Sequence, residues 1–246
     1  MEKTYFDGRA FEDLGITVER VHDPIPEMRE ELEARPNGHG SFLNSLTMSP
    51  REITLECRYF GDRWQDFDDM MDELAAWLVT DGDREMVLRT NPDQHYMAHY
   101  RSYSEGDREG GTGIGAFELV FCASDPLRHG ERRSMVVTSF ARVDVGGTDL
   151  PDMTISVQGA RNGSSKLFGM RFVGPDGVDR TLRVPLPDSA AHAVGLDCVG
   201  HVATVDGRVS GVTLSSDWPD FAPGRWKAYV TEGTGTATLS WTQRYR

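Results

Sequence analysis

The chain changes character near its middle, where one β pattern ends and another begins. Asp125-Pro126 closes an alternating strand, and a charged connector at residues 128–133 separates it from a new apolar alternation. The charge changes at the same place. Residues 1–130 hold 13 Lys/Arg against 27 Asp/Glu, a net −14, and residues 131–246 hold 13 against 12, a net +1. This coincidence predicts two domains, 1–130 and 131–246.

Length and composition bound the class of protein. A chain of 246 residues with 38% apolar residues has enough apolar side chains for two ordinary cores. A mean hydropathy of −0.46, without any long apolar run, predicts no membrane span. The first residues lack the apolar stretch of a signal peptide, and three cysteines without CxxC spacing predict a reducing compartment. The acidic first domain is expected to repel nucleic acid.

The first domain combines alternating strands with one amphipathic helix. Residues 52–59 carry apolar side chains at every second position, which predicts a half-buried strand. A helix is predicted over residues 62–79, with Asp62 as its N-cap and Gln65 reaching back from the third position. Its apolar residues recur at three- and four-residue steps: Trp64, Phe67, Met71, Leu74, Ala75 and Leu78. The pattern predicts an α+β domain, with the helix on a small antiparallel sheet.

Two segments of the first domain are not explained by a core. Residues 22–50 contain several prolines and no sustained periodicity, so we expect a long irregular loop with at most a weak helix over residues 27–35. Residues 104–113 form a Gly/Glu-rich tip between two strand patterns. Long segments of this kind often carry function, so contacts with neighbouring copies or partners are expected there.

The second domain shows short strands separated by turn signals and no helical pattern. The predicted strands are residues 136–140, 153–158, 167–173, 180–184, 201–205, 226–231 and 236–242. Pairs such as Asp206-Gly207 and Pro223-Gly224 mark the turns between them. Closely spaced short strands over about a hundred residues predict an all-β sandwich or jelly roll.

Side chains with catalytic or metal-binding chemistry do not converge in the sequence. Asp69 and Glu73 are four residues apart, but the other carboxylates of their cluster spread around the helix, so a solvated face is favoured. His95 and His99 share a strand, where that spacing separates them by about 13 Å, too far for one metal. The glycines of residues 110–115 run into a strand, which disfavours a phosphate loop. We expect no catalytic residue, no cofactor and no metal.

Three tryptophans of the second domain are the candidate ligand-binding residues: Trp218, Trp226 and Trp241. Aromatic rings of this kind can form a saccharide-stacking surface. Trp226 and Trp241 lie inside predicted strands, where large aromatic side chains usually fill the core. Saccharide stacking is therefore the alternative interpretation of these residues, and core packing is the leading one.

A series of short motifs occurs in order along the whole chain. In the first domain they are Phe6-Asp7-Gly8, Asp13-Leu14-Gly15 before Ile16-Thr17-Val18, and Ser124-Asp125-Pro126. In the second they are Gly147-Thr148, Pro151 before residues 153–159, Gly195-Leu196-Asp197, Val205-Asp206-Gly207 and Ala222-Pro223-Gly224. This series resembles the distal tail protein (Dit) family of siphophages. The chain departs from the family pattern at two turns, with Val145-Gly146-Gly147 where Asn-x-Gly is expected and Arg225-Trp226 where an asparagine is common.

The resemblance implies a structural role at a bacteriophage or prophage tail tip. It implies a hexameric ring of first domains, galectin-like second domains, and a hub that joins the tail tube protein to the tail-associated baseplate or fibre protein. It also implies no catalysis and a location in the virion. An acidic wall would let DNA pass through the lumen without specific binding. The alternative is a carbohydrate-binding protein that recognises host cell-wall glycans through the second domain.

Overall fold

The computed structural model describes residues 3–36, 38–108, 113–162 and 166–246, without the side chains of Trp64 and Arg108. Over these residues the protein consists mainly of antiparallel strands, with one α-helix. The chain divides into two compact units. The first ends at Arg128 and includes Arg246, and the second comprises residues 129–245.

The first unit contains nine strands, one 3-10 helix (Phe11–Leu14) and the α-helix among its described residues. In chain order these strands and the helix are β1 (Tyr5–Phe6), β2 (Arg9–Ala10), β3 (Ile16–His22), β4 (Met28–Ala34), β5 (Ser41–Met48), β6 (Arg51–Gly61), α1 (Trp64–Leu78), β7 (Arg84–Val87), β8 (His95–Arg108) and β9 (Gly113–Ala123).

Most of these strands form one antiparallel sheet in the order β2-β1-β7-β8-β9-β6-β3. Strand β6 confirms the predicted alternation, because Ile53, Leu55 and Cys57 are at most 2% exposed while the residues between them face outward. This buried face and helix α1 enclose one apolar core, which also contains Phe6, Phe11, Phe117 and Phe121. The predicted helix on a small antiparallel sheet is therefore present.

Helix α1 differs in detail from the prediction. It begins at Trp64, and the Asp66 carboxylate accepts the backbone N–H of Arg63 at 2.9 Å, so Asp62 is not its N-cap. Its buried residues are Phe67, Met70, Leu74 and Leu78. The prediction was wrong in placing Ala75 in the core, since it is exposed, and Met71 is only half-buried. Met70 lies on the inner side of the stripe instead; the side chain of Trp64 lies outside the described residues.

The helix approaches the sheet closely because β9 carries glycines. A Cβ added to Gly115 would lie 2.4 Å from the Phe67 ring, and one added to Gly113 would lie 2.4 Å from the Arg63 carbonyl oxygen. These contacts leave no room for any side chain at either position. Residues 109–112 of the predicted tip, which include Gly110 and Gly111, lie outside the described residues.

Residues 22–50 are not the irregular loop that we expected from the sequence. Strands β4 and β5 form a separate two-stranded antiparallel hairpin, which we call the arm (residues 28–48). The weak helix predicted over residues 27–35 is wrong, because the main chain of β4 pairs with β5 instead of with itself. The position and surface of the arm are described below.

The second unit contains only strands among its described residues. They are β10 (Arg128–Val137), β11 (Phe140–Val145), β12 (Asp149–Arg161), β13 (Leu167–Val173), β14 (Asp179–Pro185), β15 (His192–Asp197), β16 (Val202–Val205), β17 (Arg208–Ser210), β18 (Gly224–Glu232) and β19 (Thr234–Tyr245). The charged connector predicted at residues 128–133 forms the first part of strand β10. The sequence pattern also missed β11, β15 and β17.

Two sheets of the second unit pack face to face as a β-sandwich. One has the order β17-β16-β15-β12-β19-β10, and the other, of four strands, has the order β11-β18-β13-β14. Side chains of both sheets contribute to one core, with Phe172, Trp226 and Leu239 each at most 1% exposed. In the described part of the chain, no helix is both long enough and apolar enough to cross a membrane.

Candidate assembly interface

The arm is attached to the first unit only at its two ends. Its strands pair with each other and with no other described strand. The hairpin is closed at its base by the Ser49 N–H, which donates to the Glu27 carbonyl at 2.8 Å. An isolated hairpin is marginally stable in water, because it has no hydrophobic face to bury. The arm therefore needs a further source of order.

A β-bulge gives the arm one apolar face. The strand register pairs Met28 with Met48, Glu30 with Leu46 and Leu32 with Leu43, and it shifts by one residue between Leu43 and Ser45. Directly paired residues of an antiparallel ladder lie on the same side, so the shift at Asn44 places Leu43 on the side of Leu46. This face of the arm thus carries Met28, Leu32, Leu43, Leu46 and Met48, with the acidic Glu30 among them opposite Leu46.

The opposite face of the arm is polar and internally satisfied. Ser45 donates a hydrogen bond to the Glu31 carboxylate at 3.0 Å, and Asn44 donates to Glu33 at 3.3 Å. The exception on this face is Phe42, which is 51% exposed and lies beneath the Arg35 guanidinium, 4.7 Å from its ring centroid. On the apolar face four clustered side chains, Met28, Leu32, Leu43 and Leu46, are 49–58% exposed. An exposed face of clustered apolar side chains is typical of a protein interaction surface.

The root of the arm is fixed by a buried charged group. Asp23 precedes the first arm strand and Arg51 follows the second; their Oδ1 and Nη1 atoms lie 2.9 Å apart. The Tyr96 hydroxyl donates to Asp23 at 2.8 Å and also contacts the Arg51 guanidinium, which lies 5.3 Å from the Tyr96 ring centroid. In this ion pair the Arg51 side chain is 3% exposed and the Asp23 side chain is 15% exposed. This group therefore ties both ends of the arm to strand β8.

The root group is electrostatically costly. Burial raises the pKa of Tyr96, and the neighbouring Asp23 carboxylate raises it further, so the phenol stays protonated and donates. The Arg51 Nε atom is buried without a hydrogen-bond partner. A buried ion pair of this kind contributes little net stability, but removing one partner leaves the other charge buried and unpaired. Its clearest structural effect is to fix where the arm leaves the sheet.

The sequence-predicted polar residues do not assemble into a reactive site. Glu73 pairs with Arg9 at 2.6 Å while Asp69 is exposed, and His99 contacts Asp83 at 2.7 Å. Within the described residues, no group of three or more His, Cys, Asp or Glu side chains is arranged to hold a metal. Burial raises the pKa of the Cys57 thiol to about 12, which keeps it protonated at neutral pH.

The three candidate tryptophans lie in different environments. Trp226 and Trp241 are 1% and 3% exposed and belong to the core of the second unit. Trp218 is half-buried and stacks on His201, with ring centroids 5.3 Å apart. The structure thus does not bring the three rings together on one exposed surface. Only Trp218 offers part of its ring to solvent.

The fold and the arm define a class of protein: an antiparallel domain with a projecting interaction hairpin, followed by a β-sandwich. Residues 11–123 match the family described as phage tail protein RIFT-related domain. The match spans most of the first unit, which is therefore similar to this phage tail domain. The predicted resemblance to the distal tail protein family of siphophages is confirmed.

One solved structure has the same fold. The Dit protein of phage SPP1, described as a paradigm of the hub adsorption apparatus in phages that infect Gram-positive bacteria, is 19% identical with a TM-score of 0.75, and the match covers 99% of both chains. This likeness shows the same fold across both units. The baseplate of phage P2, in its activated conformation with calcium, is 8% identical over 91% of this chain and 90% of that chain, with a TM-score of only 0.35. No curated protein matches this chain.

Proposed function

We propose that this protein is a structural subunit of a phage tail tip, in which first units associate into a hexameric ring. The ring joins the tail tube protein to a tail-associated baseplate or fibre protein, and the protein has no catalytic role. The observation that carries the proposal is the arm. It projects from a phage tail domain and leaves an apolar face uncovered.

A second copy of the chain is the occupant that best fits the apolar face of the arm. The face is short and two strands wide; Glu30 lies within it, opposite Leu46, and the charged side chains of the opposite face surround it. Apolar centres with a polar rim are the usual anatomy of a protein interface. If the arm of each copy packs on a different surface of the next copy, the contact is head-to-tail. A head-to-tail contact whose rotation closes produces a ring.

The acidic first unit also fits a ring through which DNA passes. Residues 1–130 carry a net charge of −14 (13 Lys/Arg against 27 Asp/Glu), and part of that charge is expected to face the lumen. An acidic wall repels phosphates, so duplex DNA would slide through without being held. Because the same charges oppose association, assembly should strengthen as salt screens them.

The second unit is proposed to be a galectin-like sandwich at the outside of the ring. Its two-sheet architecture is compatible with that assignment. Carbohydrate binding by this unit is the alternative function. The burial of Trp226 and Trp241 weighs against the stacking surface first considered for it.

The proposal is tested by light scattering of the full chain across a range of concentrations, together with sedimentation at low and moderate salt. A hexamer that persists as salt rises supports it. Replacing Leu32, Leu43 and Leu46 by Ser should abolish the hexamer, since each removes a half-exposed apolar side chain from one face of the arm.

The matched control is Phe42→Ser, which removes an equally exposed apolar side chain from the other face of the arm. It should leave the hexamer intact. A monomer at every concentration, a ring that dissociates as salt rises, or equal loss of assembly in the control would contradict the proposed role of the arm. Tight binding of duplex DNA by the ring would contradict the proposed passage of DNA.

A further inference from the structure

The outer face of the four-stranded sheet in the second unit contains two cations directly opposite each other. The register of β11 and β18 pairs Arg142 with Lys227. Val143 and Trp226, next to them, are each 1% exposed in the core, so alternation directs Arg142 and Lys227 to solvent. Side chains paired in this way have Cβ atoms about 5 Å apart, and like charges at that distance destabilise the sheet.

This pair is uncompensated, unlike the like-charged pair in the first unit. There, Glu56 lies opposite Glu118, but Glu56 contacts His22 at 2.5 Å and Arg20 at 3.9 Å. Among the residues that the structure describes, neither Arg142 nor Lys227 forms an ion pair. Other cations of the same sheet do: Arg171 pairs with Asp179 at 3.6 Å, and Arg183 with Glu232 at 2.5 Å.

The surroundings of the pair form a shallow cationic depression. A cavity of about 380 Å³ is lined by Arg142 and Asp144 of β11 and by Arg225 and Lys227 of β18. Asp144 lies opposite Arg225 in the register and balances its charge, which leaves the charges of Arg142 and Lys227 in excess. A local excess of cations on a chain with a net charge of −13 is the complement of an anionic ligand.

An aromatic ladder borders the depression. The ring centroids of Phe140 and Tyr229 lie 4.9 Å apart, and the Arg171 guanidinium lies 4.5 Å from the Tyr229 ring centroid. Phe140 is 46% exposed and has ring surface available beside the cations. Such a ring can stack against the C–H face of a sugar.

We propose that this face binds an anionic glycan, with Arg142 and Lys227 holding its acidic groups and Phe140 contacting a sugar ring. Linear charge density distinguishes this ligand from DNA, which carries roughly one negative charge per 1.7 Å and is repelled by the rest of an acidic chain. A glycan with one acidic group per repeat meets the local cations with much weaker repulsion. This role is separate from ring assembly and uses none of the tryptophans first considered for sugar binding.

The test is biolayer interferometry of the full chain at low ionic strength. The immobilised probes are hyaluronate and unsulfated chondroitin as anionic glycans, each with one carboxylate per disaccharide repeat, with neutral dextran, a short DNA duplex and polyglutamate for comparison. The protein should bind both anionic glycans, and the double variant R142E/K227E should weaken that binding by at least about tenfold. The double variant R132E/R133E is the matched control, since it changes the same charge on exposed residues of the same unit. It should bind within about twofold of the parent chain.

The single variant Arg142→Glu separates binding from folding. It places a carboxylate opposite Lys227, so it should unfold at the same or a higher denaturant concentration while binding the anionic glycans more weakly. Equal losses in R132E/R133E, unchanged binding in R142E/K227E, or a preference for DNA or polyglutamate over both glycans would each overturn the proposal. Light scattering of the same variants shows whether assembly is intact, so failure of glycan binding is distinguishable from failure of the proposed ring.

Discussion

The arm and strand β6 follow each other in the sequence, and both are antiparallel β-structure, but they are ordered in different ways. In β6, Ile53, Leu55 and Cys57 are buried against the helix, and the strand has neighbours on both sides. In the arm, every residue of β4 is exposed, and the two strands have only each other. Strand β6 is stabilised by its core, whereas the arm is held at its root.

This difference indicates which segment depends on a partner. A core strand keeps its conformation in the isolated chain, because burying its apolar side chains provides the stabilisation. A hairpin with a half-exposed apolar face gains comparable stabilisation only when another surface covers it. The root group of Asp23, Arg51 and Tyr96 restricts the direction of the arm before that contact forms, which lowers the entropy lost on binding.

The largest expected effect tests the root. Arg51→Met should lower the free energy of unfolding by about 3–5 kcal/mol, since it leaves the Asp23 carboxylate buried without its cation. Hydrogen exchange in residues 28–48 should speed up by more than exchange in β6. The measurement is denaturant unfolding with hydrogen exchange by mass spectrometry.

The double variant Asp23→Asn with Arg51→Met is its control, because it removes both charges. It should recover part of the lost stability without restoring slow exchange in the arm. If Arg51→Met left exchange in the arm unchanged, the root group would not control its orientation.

The next largest effect tests the apolar core of the first unit, to which the arm does not contribute. Leu74→Ala should lower the free energy of unfolding by about 2–5 kcal/mol, because Leu74 is 1% exposed between helix α1 and the sheet. Asp69→Ala, on the exposed side of the same helix, should change it by less than about 0.5 kcal/mol. Denaturant titration of both variants checks this, and a comparable loss in Asp69→Ala would disprove the solvated-face interpretation.

A pH-dependent contribution is expected from a polar cluster in the second unit. His192 is buried, and its ring nitrogens lie 2.7 Å from Asp206 and 3.0 Å from Asp188. The hydrogen bond to Asp206, reinforced by Asp188, raises the pKa of His192 above its ordinary 6.5. The pKa values of both carboxyls are lowered from 3.8. For Asp188 the main cause is a hydrogen bond from the Ala190 N–H, followed by the hydrogen bond with His192. For Asp206 the main cause is the hydrogen bond with His192.

The directions of these pKa shifts determine how the stability of the folded protein depends on pH. The raised pKa of His192 adds stability below pH 6.5, and this contribution is lost as pH rises through the raised value. The lowered carboxyl pKa values add stability above pH 3.8, and this is lost as pH falls. Stability from the cluster is therefore greatest between these limits. Unfolding of His192→Gln across the pH range should show a flatter profile; an identical profile would show that the cluster does not contribute.

The smallest expected effect on folding lies in the arm itself. Leu43→Ser should change the free energy of unfolding of the monomer by no more than about 0.5 kcal/mol, because Leu43 is already 56% exposed. Ile53→Ala in β6 provides the comparison and should cost at least about 2 kcal/mol. A large loss in monomeric Leu43→Ser would mean that the arm face is covered within one chain.

The sequence predicted the parts of the fold that follow from periodicity. Strand β6 and the buried stripe of α1 were found because each repeats at a regular spacing. The arm was missed because the bulge at Asn44 breaks the alternation of β5, and the acidic residues of β4 resemble a helical surface. The burial of Asp23 and Arg51 could not be predicted from the sequence either, because it depends on Tyr96, which lies 45 residues beyond Arg51. Strand β10 was also not predicted over residues 128–133, because most of its side chains there are charged and show no apolar alternation.

The bulge at Asn44 absorbs one extra residue in β5 without changing which side chains share a face. Replacing Asn44 by another polar residue leaves the register intact and keeps Leu43 beside Leu46. Deleting it would remove the bulge and leave a regular ladder in which Leu43 still lies opposite Leu32, so the apolar surface would stay on one face. Chains that share this hairpin should therefore vary freely at this position, and even lack the residue, while keeping apolar side chains at the positions of Leu43 and Leu46.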